Sequence, residues 1–116
     1  MAHNAGASLR TGIDEKKLAA VWDYRTSNLY SEAERVAIEF AIAAASQPND
    51  VTDELFARMR EHWDDGQIVE ITALVSYFGF MNRFNDTMAT PLEDEPAGEA
   101  EKHIAAHGWR IGKHGR

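Results

Sequence analysis

A chain of 116 residues suits one domain with one core, and its 44% apolar and 27% charged residues match ordinary globular proteins rather than disordered or fibrous ones. The formal net charge of −7 repels phosphate backbones and anionic lipid, so nucleic acid is not an expected partner. There is no cysteine, which excludes disulfides, thiolate metal ligands, thiol nucleophiles and redox pairs together.

No apolar run reaches the ~20 residues that a membrane helix needs, and the opening M-A-H-N-A-G-A-S-L-R lacks the apolar centre of a secretory signal. A cytoplasmic protein without membrane contact is therefore expected, and no cofactor is. Residues 2–10 are small and helix-tolerant, and Gly12 stands where a helix end often needs a positive φ. Asp14 can cap a short second helix reaching Trp22, and residues 23–30 follow as a connector that Asp23 and Arg25 are expected to hold. Trp22, Tyr24 and Tyr30 flank this connector and read as packing anchors rather than a stacking platform.

The next helix starts at Ser31, which forms an S-x-x-E capping box with Glu34, and it ends near Gln47-Pro48-Asn49-Asp50. Another begins at Thr52, with Val51 and Phe56 placed as a hydrophobic staple and with Leu55, Phe56, Met59 and Trp63 on its buried face. Asp64 and Gln67 make a second capping box, after which residues 68–84 are apolar on almost every side. A helix of that composition belongs in a core or a subunit interface, because each exposed large side chain forgoes ~1.5–3 kcal/mol of burial. A homo-oligomer formed through residues 68–84 is the expectation. The polar interruptions Glu70, Thr72, Ser76 and Asn82 either line a pocket or satisfy one another across that interface, while Arg83 and Asp86 read as ion-pair partners for a neighbouring helix or subunit.

Residues 89–98 carry Pro91, Pro96 and several acids and read as a loop. Residues 99–107 can form a last short helix closed by Gly108, and residues 109–116 make a basic, mobile tail. There is no strand alternation and no internal repeat, so the fold class is all-α.

The runs D-Y-R-T-S-N-L-Y-S-E-A-E-R, V-T-D-E-L-F-A-R-M-R-E-H, I-V-E-I-T-A-L and N-R-F-N-D, in this order, resemble the carboxymuconolactone decarboxylase-like superfamily, which includes the alkylhydroperoxidase D-like proteins. The likeness extends from about Asn4 to Leu92 and implies an alkylhydroperoxidase D-like helical bundle, incomplete at its N-terminus. It implies a domain over residues 1–92, with residues 93–116 as an acidic loop, short helix and basic tail. Peroxidase members of the superfamily carry a Cys-x-x-Cys pair, a histidine a turn further on, and an upstream glutamate. On the resemblance, the second cysteine would fall one residue before Met1. His3 or Asn4 takes the place of the family's histidine, with Asn4 on the better alignment, and these two are the catalytic candidates.

Reduction of a peroxide needs a thiolate to attack the O–O bond and a second thiol to resolve the resulting sulfenic acid. No other side chain supplies that electron pair, so a protein of this family without peroxidase activity is the first expectation. A thiol-independent lyase of the decarboxylase branch is the second, and it requires basic residues, with Arg10, Arg25 and Arg83 available, to converge on a pocket for a small carboxylate. An oligomeric structural or binding module is the third. Glu99, His103 and His107 share one face at i, i+4 and i+8 and form a weak candidate metal set, set against a solvated polar face.

Overall fold

The computed structural model describes residues 7, 8 and 10–115, and every regular element among them is helical. They comprise α1 (Glu15–Ala19), α2 (Glu32–Ala45), α3 (Asp53–Arg60), α4 (Asp65–Met88) and α5 (Asp94–Ile104), with 3-10 turns at Ala20–Asp23, Ala105–His107 and Gly112–His114. No described helix is long and apolar enough to cross a membrane. The chain divides into two compact bodies, one of residues 24–84 and one of residues 1–23 with 85–116.

In the body of residues 24–84 the helix starts follow the local chemistry. The Ser31 hydroxyl accepts the Glu34 amide hydrogen at 3.1 Å while the Ser31 amide donates to Glu34 Oε1, so two otherwise orphaned donors are satisfied reciprocally. Thr52 Oγ1 caps α3 by accepting from the Leu55 amide, and Asp64 and Gln67 repeat the capping box at α4 with 2.8 and 3.0 Å bonds. The core of this body is Val36, Phe40 and Ala43 from α2, Leu55 and Met59 from α3, and Ile68 from α4, with the staple pair Val51 and Phe56 packed against it. Phe40 and Phe56 meet edge to face at 6.2 Å, the arrangement that sets a positive ring edge against a negative face. Trp63 joins from the α3–α4 turn and donates its indole N–H to the Ala33 carbonyl at 3.1 Å.

The connector before α2 is held from an unexpected direction. Arg35, one turn into α2, donates to the carbonyls of Tyr24 and Ser27 at 3.1 and 2.7 Å, while Arg25 turns to the Tyr24 phenolic oxygen. Tyr24 and Tyr30 are buried as expected of anchors.

The long helix departs from expectation in its surroundings. Only Ile68 of α4 is buried, and Val69, Leu74, Tyr77, Phe80 and Phe84 are all more than half exposed. The Thr72 and Ser76 hydroxyls donate back to the Ile68 and Thr72 carbonyls of their own helix, each at 2.8 Å.

In the second body, Gly12 adopts φ +94 and the Ile13 amide reaches back to the Ser8 carbonyl, which closes the first helical segment as anticipated. Asp14 caps α1 by accepting from the Lys16 amide at 2.7 Å, and the chain then tightens into the 3-10 turn that carries Trp22. Two expectations fail here. The helix does not stop at Phe84 but runs to Met88, where Ala89 takes φ +51 and the Thr90 amide bonds the Asn85 carbonyl, a left-handed stop built without glycine. The expected loop of residues 89–98 is shortened by α5, which starts at Asp94 with Pro96 in its first turn, where a missing N–H removes no helical bond. The tail is not free: the Leu92 amide donates to the His114 carbonyl, His114 Nδ1 lies 2.8 Å from the Thr90 carbonyl, and Lys113 and His114 approach Asp86 at 3.4 and 3.5 Å.

Candidate functional site

His3 and Asn4 lie outside the described residues. Of the proposed metal set, α5 does place Glu99 beside His103, but it does not converge with His107. The His103 ring is enclosed, its side chain only 7% exposed, with Nε2 3.2 Å from Glu99 Oε2 and Nδ1 3.4 Å from Glu15 Oε1 of α1. Lys102 approaches the same Glu15 oxygen at 3.8 Å. His107 lies flat on Trp22 at 3.9 Å, with the two planes 2° apart, and so is committed to a stack. The two carboxylates sit at opposite nitrogens of one imidazole, so a single cation cannot take His103 and both acids together, and no group of three metal-capable side chains exists among the described residues. Glu99 is half-buried and His107 exposed, while the His103 side chain is largely enclosed. The contact to Glu99 is close but not aligned as a hydrogen bond, and Nε2 has no hydrogen-bond partner.

A second candidate is an open cleft of about 320 Å³ in the body of residues 24–84, between the connector, α2 and α3. Arg25, Glu39, Asp50, Glu54 and Arg58 line it. Arg58 is clamped by Glu39 through two parallel bonds of 3.1 and 3.0 Å, and that carboxylate raises Arg58 above the ordinary guanidinium value. The hydrogen bond to Tyr24 does the same for Arg25. Both therefore stay cationic at any working pH, yet three acids share the cleft with them. Of the three arginines anticipated around a carboxylate pocket, only Arg25 lines this cleft; Arg10 approaches Glu95 at 3.7 Å in the other body, and Arg83 is exposed on α4. Arg58 was not anticipated. Its signal was the Glu39 carboxylate, whose pairing across 19 positions appears in no local pattern.

No family model matches the chain. It is 42% identical over 84 residues to the uncharacterised protein YnjA of Escherichia coli (strain K12), a match spanning 72% of this chain and 46% of that protein. It is 28% identical over 80 residues to the uncharacterised protein YdfG of Bacillus subtilis (strain 168), spanning 68% and 54%. The fold superposes on the crystal structure of the debrominase Bmp8 with a TM-score of 0.81 and 30% identity, covering 87% of this chain and 54% of Bmp8. A cysteine-to-alanine variant of Bmp8 in complex with 2,3,4-tribromopyrrole superposes equally well. The chain thus spans about half the length of the curated relatives it matches.

Proposed function

We propose that this chain is a cysteine-free unit of the carboxymuconolactone decarboxylase-like superfamily, with the alkylhydroperoxidase D-like helical fold and without the thiol peroxidase chemistry of that superfamily. The ordered sequence runs support the family reading, and the 0.81 TM-score against a helical enzyme is consistent with it. The observation that carries the functional reading is compositional: none of the 116 residues is cysteine. Peroxide reduction transfers the terminal oxygen to a thiolate and releases water or an alcohol, and a second thiol then expels water from the sulfenic acid to form a disulfide. His103 and the cleft arginines can move or attract protons and anions, but none of them donates the two electrons.

The test is hydroperoxide consumption by the purified 116-residue chain, in metal-free buffer with an excess dithiol as reductant. Consumption no faster than the protein-free rate is expected. Saturable turnover by this chain alone would overturn the reading.

Arg25 on an open cleft favours one second reading, a thiol-independent lyase acting on a small carboxylate. Three acids in the same cleft weigh against an anionic ligand, because each lowers the local potential that would attract it. Carbon dioxide release from a muconolactone, lost on Arg25→Ala, would promote this reading over the first.

A further inference from the structure

The open cleft in the body of residues 24–84 separates its charges along one axis. Its α2 wall is the stripe of Glu39, Ile42, Ala43 and Ser46, which at 1.5 Å per residue extends for about 10 Å. Arg58, near the C-terminal end of α3, meets Glu39, whereas the Asp50 amide, ahead of α3, donates to the Ala43 carbonyl at 3.0 Å. The two helices therefore run in opposite directions along the cleft. Arg25 belongs to the Glu39 end: Arg35, one turn into α2, holds the adjacent Tyr24 carbonyl, and the nearby Glu39 charge helps to keep the Arg25 guanidinium protonated. Asp50 and Glu54 mark the other end, with Glu54 four residues and so about 6 Å along α3 from Arg58. Glu39 is taken up by its two bonds to Arg58, and Arg25 Nε donates to the uncharged Tyr24 hydroxyl. Neither Asp50 nor Glu54 enters an ion pair among the described residues. Between the two ends lie Ala43 and Leu55, both buried, and Ile42, an aliphatic side chain left 55% exposed.

We propose that this cleft binds a linear ω-amino acid, with its carboxylate at Arg25, its ammonium at Asp50 and Glu54, and its methylene chain along Ile42. A purely anionic ligand meets the two unpaired acids, and a purely cationic one meets Arg25, so each gains at one end what it loses at the other. A ligand that carries both charges gains at both ends. The separation selects among zwitterions. An α-amino acid holds its charges within about 3 Å of each other, too close to reach both ends, whereas an extended chain of five methylenes sets them about 7 Å apart. The guanidinium amino groups of Arg25 suit a carboxylate, which can take two parallel N–H donors, and covering Ile42 with methylenes removes apolar surface from water. The inference stands apart from the thiol-free reading, since neither cysteine nor peroxide enters it.

Titration of the purified 116-residue chain, followed through backbone amide shifts in nuclear magnetic resonance, tests the site with four probes: 6-aminohexanoate, its isomer 2-aminohexanoate, hexanoate and hexylamine. Saturable shifts at Ile42, Ser46 and Thr52 at millimolar 6-aminohexanoate are expected. Affinity for the other three should be lower by up to about fivefold, the most that one exposed charge pair contributes. Equal affinity for the two isomers would overturn the proposal, because the separation of charge would then play no part. Hexanoate binding as well as 6-aminohexanoate would also overturn it, in favour of a carboxylate ligand, and so would the absence of saturable shifts for every probe. Arg25, Asp50 and Glu54 are all exposed, so their substitution leaves the core intact. Arg25→Gln should reduce 6-aminohexanoate to the affinity of hexylamine, and Asp50→Asn with Glu54→Gln should reduce it to that of hexanoate, with the helical circular-dichroism signal kept. Wild-type affinity in both variants would place the ligand elsewhere and overturn the assignment; the comparison of isomers needs no variant at all.

Discussion

The two bodies of the chain are stabilised by different means. Residues 24–84 enclose six buried side chains from three helices, all apolar, and every one of those helices begins with a side-chain cap. Among its described residues, the body of residues 1–23 with 85–116 buries only Ala100 and Ile104 together, with Leu92 and Trp109 against them, and carries a histidine between carboxylates, a Trp22–His107 stack and the ties of His114. Apolar burial is non-directional and scales with area, whereas each polar tie returns little after desolvation and side-chain ordering. A body built mainly from the second kind of contact has the smaller reserve against local opening.

The largest effect that probes this difference is Phe40→Ala, which empties a ring site in the larger core and should cost about 3–5 kcal/mol in chemical denaturation. A cost below that of a surface change would show that the apolar cluster does not govern the larger body. Ile104→Ala, at 3% exposure in the smaller cluster, should cost about 2–4 kcal/mol, the lower end if the site collapses onto Ala100. Native-state hydrogen exchange then distinguishes the bodies without mutation: amides of α5 should exchange faster than those of α2 and α3, and equal protection would erase the contrast.

Smaller effects sharpen the comparison. Ser31→Ala removes the α2 cap and should lower stability by about 1 kcal/mol, with Ser31→Thr restoring most of it. His103→Leu should change stability by less than about 1 kcal/mol, because an apolar side chain of similar size gives up the contacts to the acids but also removes a largely enclosed ring nitrogen that has no hydrogen-bond partner. A loss several times larger, matched by Glu15→Gln, would show that the polar cluster and not the apolar pair holds the smaller body.

How much was legible depended on distance along the chain. Both capping boxes, the staple at Val51 and Phe56, and the glycine stops at Gly12 and Gly108 are local arrangements within about six residues, and each was read correctly from residue types. The end of α4 was missed because Ala89 adopts a left-handed backbone that normally advertises itself as glycine. The start of α5 was missed because Pro96 was read as a breaker when its place in the first turn makes it harmless. The site was less legible still. The i, i+4 spacing of Glu99 and His103 was visible, but the third partner proved to be Glu15, more than eighty positions away, and His107 was diverted onto Trp22.

Sequence alone settled the all-helical class, the order of the helices and the absence of any thiol, because period, caps and composition act through neighbours in the chain or need no structure at all. Tertiary structure decided which side of α4 faces the core, that Arg35 rather than the connector's own charges bonds the connector carbonyls, and that one imidazole sits between two acids. Those outcomes depend on which distant segments share a volume, and a helix that is apolar on nearly every side carries no local signal to choose among its faces.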